Sequence, residues 1–481
     1  MSQADLVIRG GRLVSEDGVR EASVAVADGR IVAIGTPDTM PSAAQTIDAS
    51  GQYVFPGIVD PHIHLQTFTN KFDINIKTES KSAAVGGVTT IIPTLLNRED
   101  PTVSFLDHFP WCKEAVDKYA TIDVGFSAVI GSTEQIRELP RMATELGITS
   151  YKFYMAYTQD EASVFGINAM DDGQVLEGLR TIKEIGYPAM MMVHAENMTI
   201  IHKLKGEFIA AGRNDLKAWT DARPDIAEEE ATRRAIWYAK ETGSRLYIVH
   251  MTIGRGVDWV REAQAQGVDV IAETCPHYLV LTKFDHDKVG HLGKVNPPLR
   301  DQWNQDKLWE GIRSGAITCV GSDHSTITPK ADKLQKDIWT AVPGFPGSGM
   351  LLPIMLSEGY HKGRVTLEQL AGVLSTNNAR VYGIYPQKGT IAVGSDADFA
   401  IVDLDEKRVV TPEYMQSFSD WGLYDGWELT GWPTMTIVRG KVVVDHGKVV
   451  GEEGYGRYIP RPPRPRPAGA NVSPVAPRAV A

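Results

Sequence analysis

A chain of 481 residues, 43% hydrophobic and 23% charged, is too long for one small core and suits a barrel-sized domain with a satellite. Its net charge of −11 comes from 49 basic and 60 acidic residues with no long run of one sign, so the basic patch that nucleic acid requires is missing. Three scattered cysteines, Cys112, Cys275 and Cys319, speak against a disulfide framework; with no signal-like N-terminal run and no apolar stretch of membrane length, the chain reads as a soluble cytoplasmic protein.

The first residues predict short strands. Residues 6–14 hold two apolar runs around a Gly10-Gly11 turn, and residues 25–34 place Asp28-Gly29 between two more, a hairpin signal. The pattern then changes to short apolar runs alternating with helical segments such as 228–242 and 256–266. Candidate strands are residues 53–59, 89–93, 123–129, 150–155, 189–193, 246–249, 269–272 and 317–320, each apolar enough to be buried on both faces. Eight strands with intervening helices predict an α/β fold, a (β/α)8 TIM-like barrel over residues 55–384. Strand patterns return at 399–403 and 435–444. The two β-rich ends, 1–54 and 385–458, therefore predict one small β-sandwich domain beside the barrel. Residues 459–481 begin with proline at nearly alternate positions and predict an extended or disordered tail, either a flexible end or a segment that docks on another subunit.

The C-terminal rim of such a barrel is its active face, so the polar residues just after each strand carry the functional signal. Asp60-Pro61-His62-Ile63-His64 follows the first strand, and two histidines two apart on an extended segment point the same way and reach one ion. Lys152 lies in the fourth strand region, His194 ends the fifth, His250 ends the sixth, and Ser322-Asp323-His324 follows the eighth. Singly, each has an ordinary role: a hydrogen-bonded histidine, a snorkelling lysine, a helix-capping aspartate. Four histidines, a lysine and an aspartate on the rims of five strands together predict a metal site.

These motifs, with the segments Glu273-Thr274-Cys275-Pro276-His277-Tyr278, Pro297-Pro298-Leu299-Arg300 and Gly394-Ser395-Asp396-Ala397-Asp398, resemble the cyclic amidohydrolases of the amidohydrolase superfamily: hydantoinases, dihydropyrimidinases and allantoinases. The resemblance runs to about residue 458. It implies two divalent metal ions, zinc with manganese or cobalt as substitutes, one held by His62, His64 and Asp323 and the other by His194 and His250. It implies Lys152 as an N-carboxylated bridging ligand. A carbamate offers each ion an anionic oxygen and forms only from the neutral amine, so burial must lower the lysine pKa. Asp323 is implied as proton shuttle and Tyr157 as oxyanion donor, its ordinary role being a rim aromatic. Asn296 and the loop 342–347 are implied as substrate contacts. There the chain departs from hydantoinases, which commonly have Ser before Pro-Pro and Asn-Gly in place of Pro343-Gly344; a proline supplies no N–H.

The expected reaction is metal-dependent hydrolysis of a cyclic amide C–N bond, the ring opening of hydantoins or dihydropyrimidines. The alternative is an allantoinase or another cyclic imide or ureide hydrolase; the remote alternative is a non-catalytic dihydropyrimidinase-related assembly protein. The expected partners are a small cyclic amide and further copies of the chain in a homotetramer, with no nucleic acid and no membrane.

Overall fold

The computed structural model describes residues 3–66, 71–97, 100, 103–157, 162, 167–326, 330–334 and 337–467. Parallel strands follow one another around a barrel: Ile58–His64, Val88–Leu95, Ser127–Val129, Ser150–Tyr154, Met190–His194, Leu246–Ile248 and Val270–Thr274. Nearly every position in them is buried, as an all-parallel sheet covered by helices requires. Alternate residues split between two cores with the period of two that a strand imposes. Val59, Ile92, Met190, Met192, Tyr247, Val249 and Ile271 share the lumen, while Ile58, Ile91, Phe153, Met191 and Ile248 pack outward.

The eighth strand is broken. Cys319–Val320 pairs with Val270–Thr274, and His324–Ser325 pairs with Ile58–His64, so the seam closes through a bend at residues 321–323. The expected strand at 317–320 is thus only the first half of the closing element. The apolar run stops at Val320 because the rest of the strand carries polar rim residues.

Both β-rich ends enter one nine-stranded sheet. Tyr53–Pro56 joins them, pairing parallel with Ala4–Ser15 and antiparallel with Phe399–Val409. The expected single strand at 53–59 is therefore two strands in two sheets, divided at Gly57, where a Cβ would overlap the Thr89 side chain. Asp28-Gly29 forms the expected hairpin with φ of 51° and 74°, the positive pair that a tight two-residue loop needs. Gly10-Gly11 does not turn the chain: it sits in a bulge within Ala4–Ser15.

Beneath the barrel, Lys388 Nζ meets Asp123 at 2.5 Å, Asp398 at 2.6 Å and Asp396 at 3.1 Å, joining the third strand region to the sheet domain. Residues 459–467 are extended and seated on the same face; residues 468–481 lie outside the described residues. Prolines make no ladder bonds, so the arginines between them do the docking. Arg461 donates to Ser150 Oγ and Phe126 O, Arg464 to Gly383 O, and Arg466 to Asp269. Ile459 enters the lumen core. No helix among the described residues is long and apolar enough to cross a membrane.

Candidate metal centre and active site

The barrel gathers the rim residues at one point. The Nε2 atoms of His62 and His64 are 3.1 Å apart, and Lys152 Nζ lies 3.0 Å from His62 Nε2. Asp323 Oδ1 is 3.2 Å from His64 Nε2 and 3.6 Å from His62 Nε2. The ligand atoms of His62, His64 and Asp323 all fall within 4.8 Å of one another. The His250 ring stacks on His62 with 5.6 Å between centroids and meets His194 edge-on at 4.4 Å. His250 and Asp323 reach these places with φ of 39° and 48°. Such backbone costs non-glycine residues about 1–3 kcal/mol and persists where the surroundings impose it, commonly at functional sites.

Carboxylates behind the ring orient the imidazoles. His62 Nδ1 donates to Glu273 Oε1 at 2.9 Å, which leaves the Nε2 lone pair facing His64, Lys152 and Asp323. His194 Nε2 donates to Glu196 Oε2 at 2.7 Å, and the same oxygen accepts from Arg223 at 2.6 Å. Asp60 accepts from the Ser322 backbone and hydroxyl and from Ser348, tying the first strand to the closing segment. His324 turns away: its Nε2 lies 3.2 Å from Glu79 Oε2 while its Nδ1 accepts from the Gly347 and Ser348 N–H groups. Glu196 and Arg223 escaped the sequence reading, and Glu273 entered it only within a family-like segment without a role, because a lone charge near a strand end has many uses. For Glu196 the available signal was its two-residue spacing from His194.

Burial sets the protonation. It pushes His64 down to about 4, lowers His194, and takes His250 well below the usual imidazole range. Lys152 has no ion pair among the described residues, and burial brings it down to about 8 against the pull of Asp323 and Glu273. For Asp323 burial works upward, but His62, His64 and His250 hold its carboxyl well below the usual carboxylate range. Burial thus disfavours the charged forms of His64, His194, His250 and Lys152 beside an ionised Asp323, the direction that ligation of a cation needs. Nitrogen and oxygen donors without thiolate suit a borderline divalent ion such as zinc. One ring nitrogen of His250, Nδ1, is buried without a hydrogen-bond partner, as a site built around something other than its own side chains would leave it. Cys275 stands outside the set, its thiol pushed well above its ordinary value by burial.

These residues open onto a cavity lined also by Tyr154, Tyr157, Ile167, Asn296, Pro343 and Gly344; His62 sits fully buried behind it. Asn296 Nδ2 donates to the Tyr157 hydroxyl at 3.3 Å, while Asn296 Oδ1 is buried without a hydrogen-bond partner. Pro343 has no N–H, and the Gly344 N–H is committed to Lys294 O at 2.9 Å. Neither residue therefore offers a backbone N–H to a ligand on this wall.

The amidohydrolase family model matches residues 53–443. An L-hydantoinase of Paenarthrobacter aurescens is 38% identical over 464 residues, covering 95% of this chain and 98% of that protein. An allantoinase of Rubrobacter xylanophilus is 36% identical over 466 residues, covering 96% and 99%. The solved L-hydantoinase (dihydropyrimidinase) from Arthrobacter aurescens superposes with a TM-score of 0.89 at 36% identity, over 95% of this chain and 100% of that one. Its fold is that of the hydantoinases, a TIM barrel with a β-sandwich domain. Likeness of this extent, in sequence and in fold, has one meaning: the chain belongs to the amidohydrolase family.

Proposed function

We propose that this amidohydrolase opens the C–N bond of a cyclic amide, a hydantoin or dihydropyrimidine ring, with two divalent ions, zinc first among them. His62, His64 and Asp323 hold one, His194 and His250 the other, and Lys152 bridges them as its carbamate. The observation that carries the proposal is Lys152, buried with no ion pair among the described residues, brought down to about 8, and 3.0 Å from His62 Nε2. Once the Lys152 ammonium has given up one proton, the neutral amine adds carbon dioxide at Nζ and releases a second, so that a cation-repelling ammonium becomes an anion that holds cations.

When bound, such ions supply Lewis acidity: they ease deprotonation of the attacking water and polarise the carbonyl under attack. Asp323, ionised at neutral pH, accepts the proton of that water and returns it to the ring nitrogen as the C–N bond breaks. The Tyr157 hydroxyl donates to the carbonyl oxygen as negative charge builds on it. Asn296 Oδ1 is free to accept a ring N–H. An allantoin-type ureide is the second reading, favoured by the allantoinase likeness over 96% of the chain. The same proposal assigns residues 1–54 and 385–458 to one satellite domain, 55–384 to the barrel and 459–481 to a tail. It includes a homotetramer and a cytoplasmic setting, which three buried, unpaired cysteines suit.

The test is a hydrolysis panel on protein purified with zinc or manganese and bicarbonate, using dihydrouracil, 5-substituted hydantoins of both hands, a cyclic imide and allantoin. Turnover of hydantoins or dihydrouracil that disappears with chelator is the expected result. Turnover of allantoin alone selects the second reading. No turnover of any ring with metal bound rejects the substrate class.

A further inference from the structure

The two halves of the centre differ in what stands behind them. Glu273, behind His62, accepts the Tyr247 hydroxyl at 2.6 Å and the backbone N–H of His250 at 3.0 Å and pairs with no lysine or arginine among the described residues. Glu273 Oε1 therefore backs the His62 ring with no guanidinium on it among the described residues, and Asp323 adds a second carboxylate to that half. Behind His194, the charge of Glu196 is shared. The oxygen that accepts from His194 Nε2 also accepts from Arg223, and both Glu196 and Arg223 are buried. Arg223 is held in place by its own stacking over the Trp219 ring at 4.7 Å, and the Trp219 indole donates to Val295 O, one residue before Asn296.

A carboxylate behind a ligating imidazole strengthens it as a donor by drawing on its other proton; a guanidinium on that carboxylate takes the effect away. We infer that Glu196 and Arg223 are a positioning pair that presents the Nδ1 lone pair of His194 to the centre while offsetting the charge behind it, so that the His194–His250 half holds its ion more weakly than the His62–His64–Asp323 half. The protein then carries one resident and one exchangeable ion. This rests on the two-ion reading above.

The test uses the full chain loaded with zinc and bicarbonate, dialysed against graded chelator, with metal per chain counted by mass spectrometry. Crystals taken at the half-depleted point are read by anomalous scattering at the zinc edge. The expected curve has two steps at least about tenfold apart, with the retained ion at His62, His64 and Asp323. Loss in a single step, or retention at His194 and His250, overturns the inference and leaves the two-ion reading standing. A chain that takes up no ion overturns both. Glu196→Gln keeps an oxygen for His194 Nε2 but removes the charge, and should shift only the weaker step, by about tenfold. Arg223→Met should draw the two steps together and Arg223→Lys restore the gap. Equal weakening of both steps in these variants means a structural role and also overturns the inference. If the variants do not fold, the curve of the unaltered protein still decides.

Discussion

Lys152 and Lys388 are buried to the same degree at opposite ends of the barrel and are treated in opposite ways. Lys388 sits among Asp123, Asp396 and Asp398; burial works against its charge, and the three carboxylates overcome it and hold its ammonium above the ordinary value. Lys152 has no such partner and comes down to about 8. Burial alone therefore does not decide whether a charge is structural or chemical; the partners do. On the lower face charges are matched and join elements. On the rim one is left without an ion pair among the described residues, the arrangement that the proposed role of Lys152 needs.

The largest expected effect breaks the reactive side of that comparison. Lys152→Met should cost at least about 4 kcal/mol of transition-state stabilisation, roughly a thousandfold in kcat/KM, together with bound metal, read by kinetics and metal analysis. Its thermal stability without metal should not fall, because an unpaired buried amine is replaced by an apolar chain of similar length.

Lys388→Met should do the reverse. Left without their cation, the buried aspartates should cost about 3–5 kcal/mol of folding stability in denaturant titrations, with the metal ligands untouched. The pH dependence sharpens the point. In the parent protein burial works upward on Asp123, yet Lys388 and Arg439 hold it below its ordinary value of 3.8. Its contribution is thus complete at neutral pH and is lost as pH falls through 3.8 toward the folded value. The variant should lose less stability than the parent on acidification to pH 3; an equal loss in both would remove the aspartate cluster as the cause.

Smaller effects follow within each face. Tyr157→Phe should lower kcat about a hundredfold with metal content unchanged, the usual cost of one oxyanion donor. Unaltered turnover removes Tyr157 from the mechanism. Arg464→Ala, which releases the tail from the Gly383 and Tyr385 carbonyls, should cost about 1 kcal/mol in thermal or denaturant melts and leave turnover alone.

The barrel was legible because strands buried on both faces must be written as short apolar runs, and the rim because polar residues at their ends have no packing reason to be there. What escaped was whatever depends on partners far away in the chain. Residues 53–59 look like one strand, and only the approach of Thr89 and Phe399–Val409 divides them at Gly57. The closing strand was cut short at Val320 because His324 and Ser325 are not apolar, although they pair with Ile63 and His64. Lys388 finds Asp123 265 residues away, a pairing no local pattern signals. The arginines of the tail read as part of a proline-rich end, and their docking depends on the Phe126 and Gly383 carbonyls and the Asp269 carboxylate, all far away in the chain.

The bend at residues 321–323 has a consequence for assembly. Asp323 comes within reach of His62 and His64 only when the last strand has met the first, a junction also sealed by Ser322 on Asp60 across 262 residues of chain. An ion there would act as a clasp on the barrel's seam, linking the two ends of a long closed loop much as a covalent cross-link would. Partly wound chains, lacking one side of the clasp, could not bind it, so metal uptake would double as a proofreading step that retains only fully closed barrels.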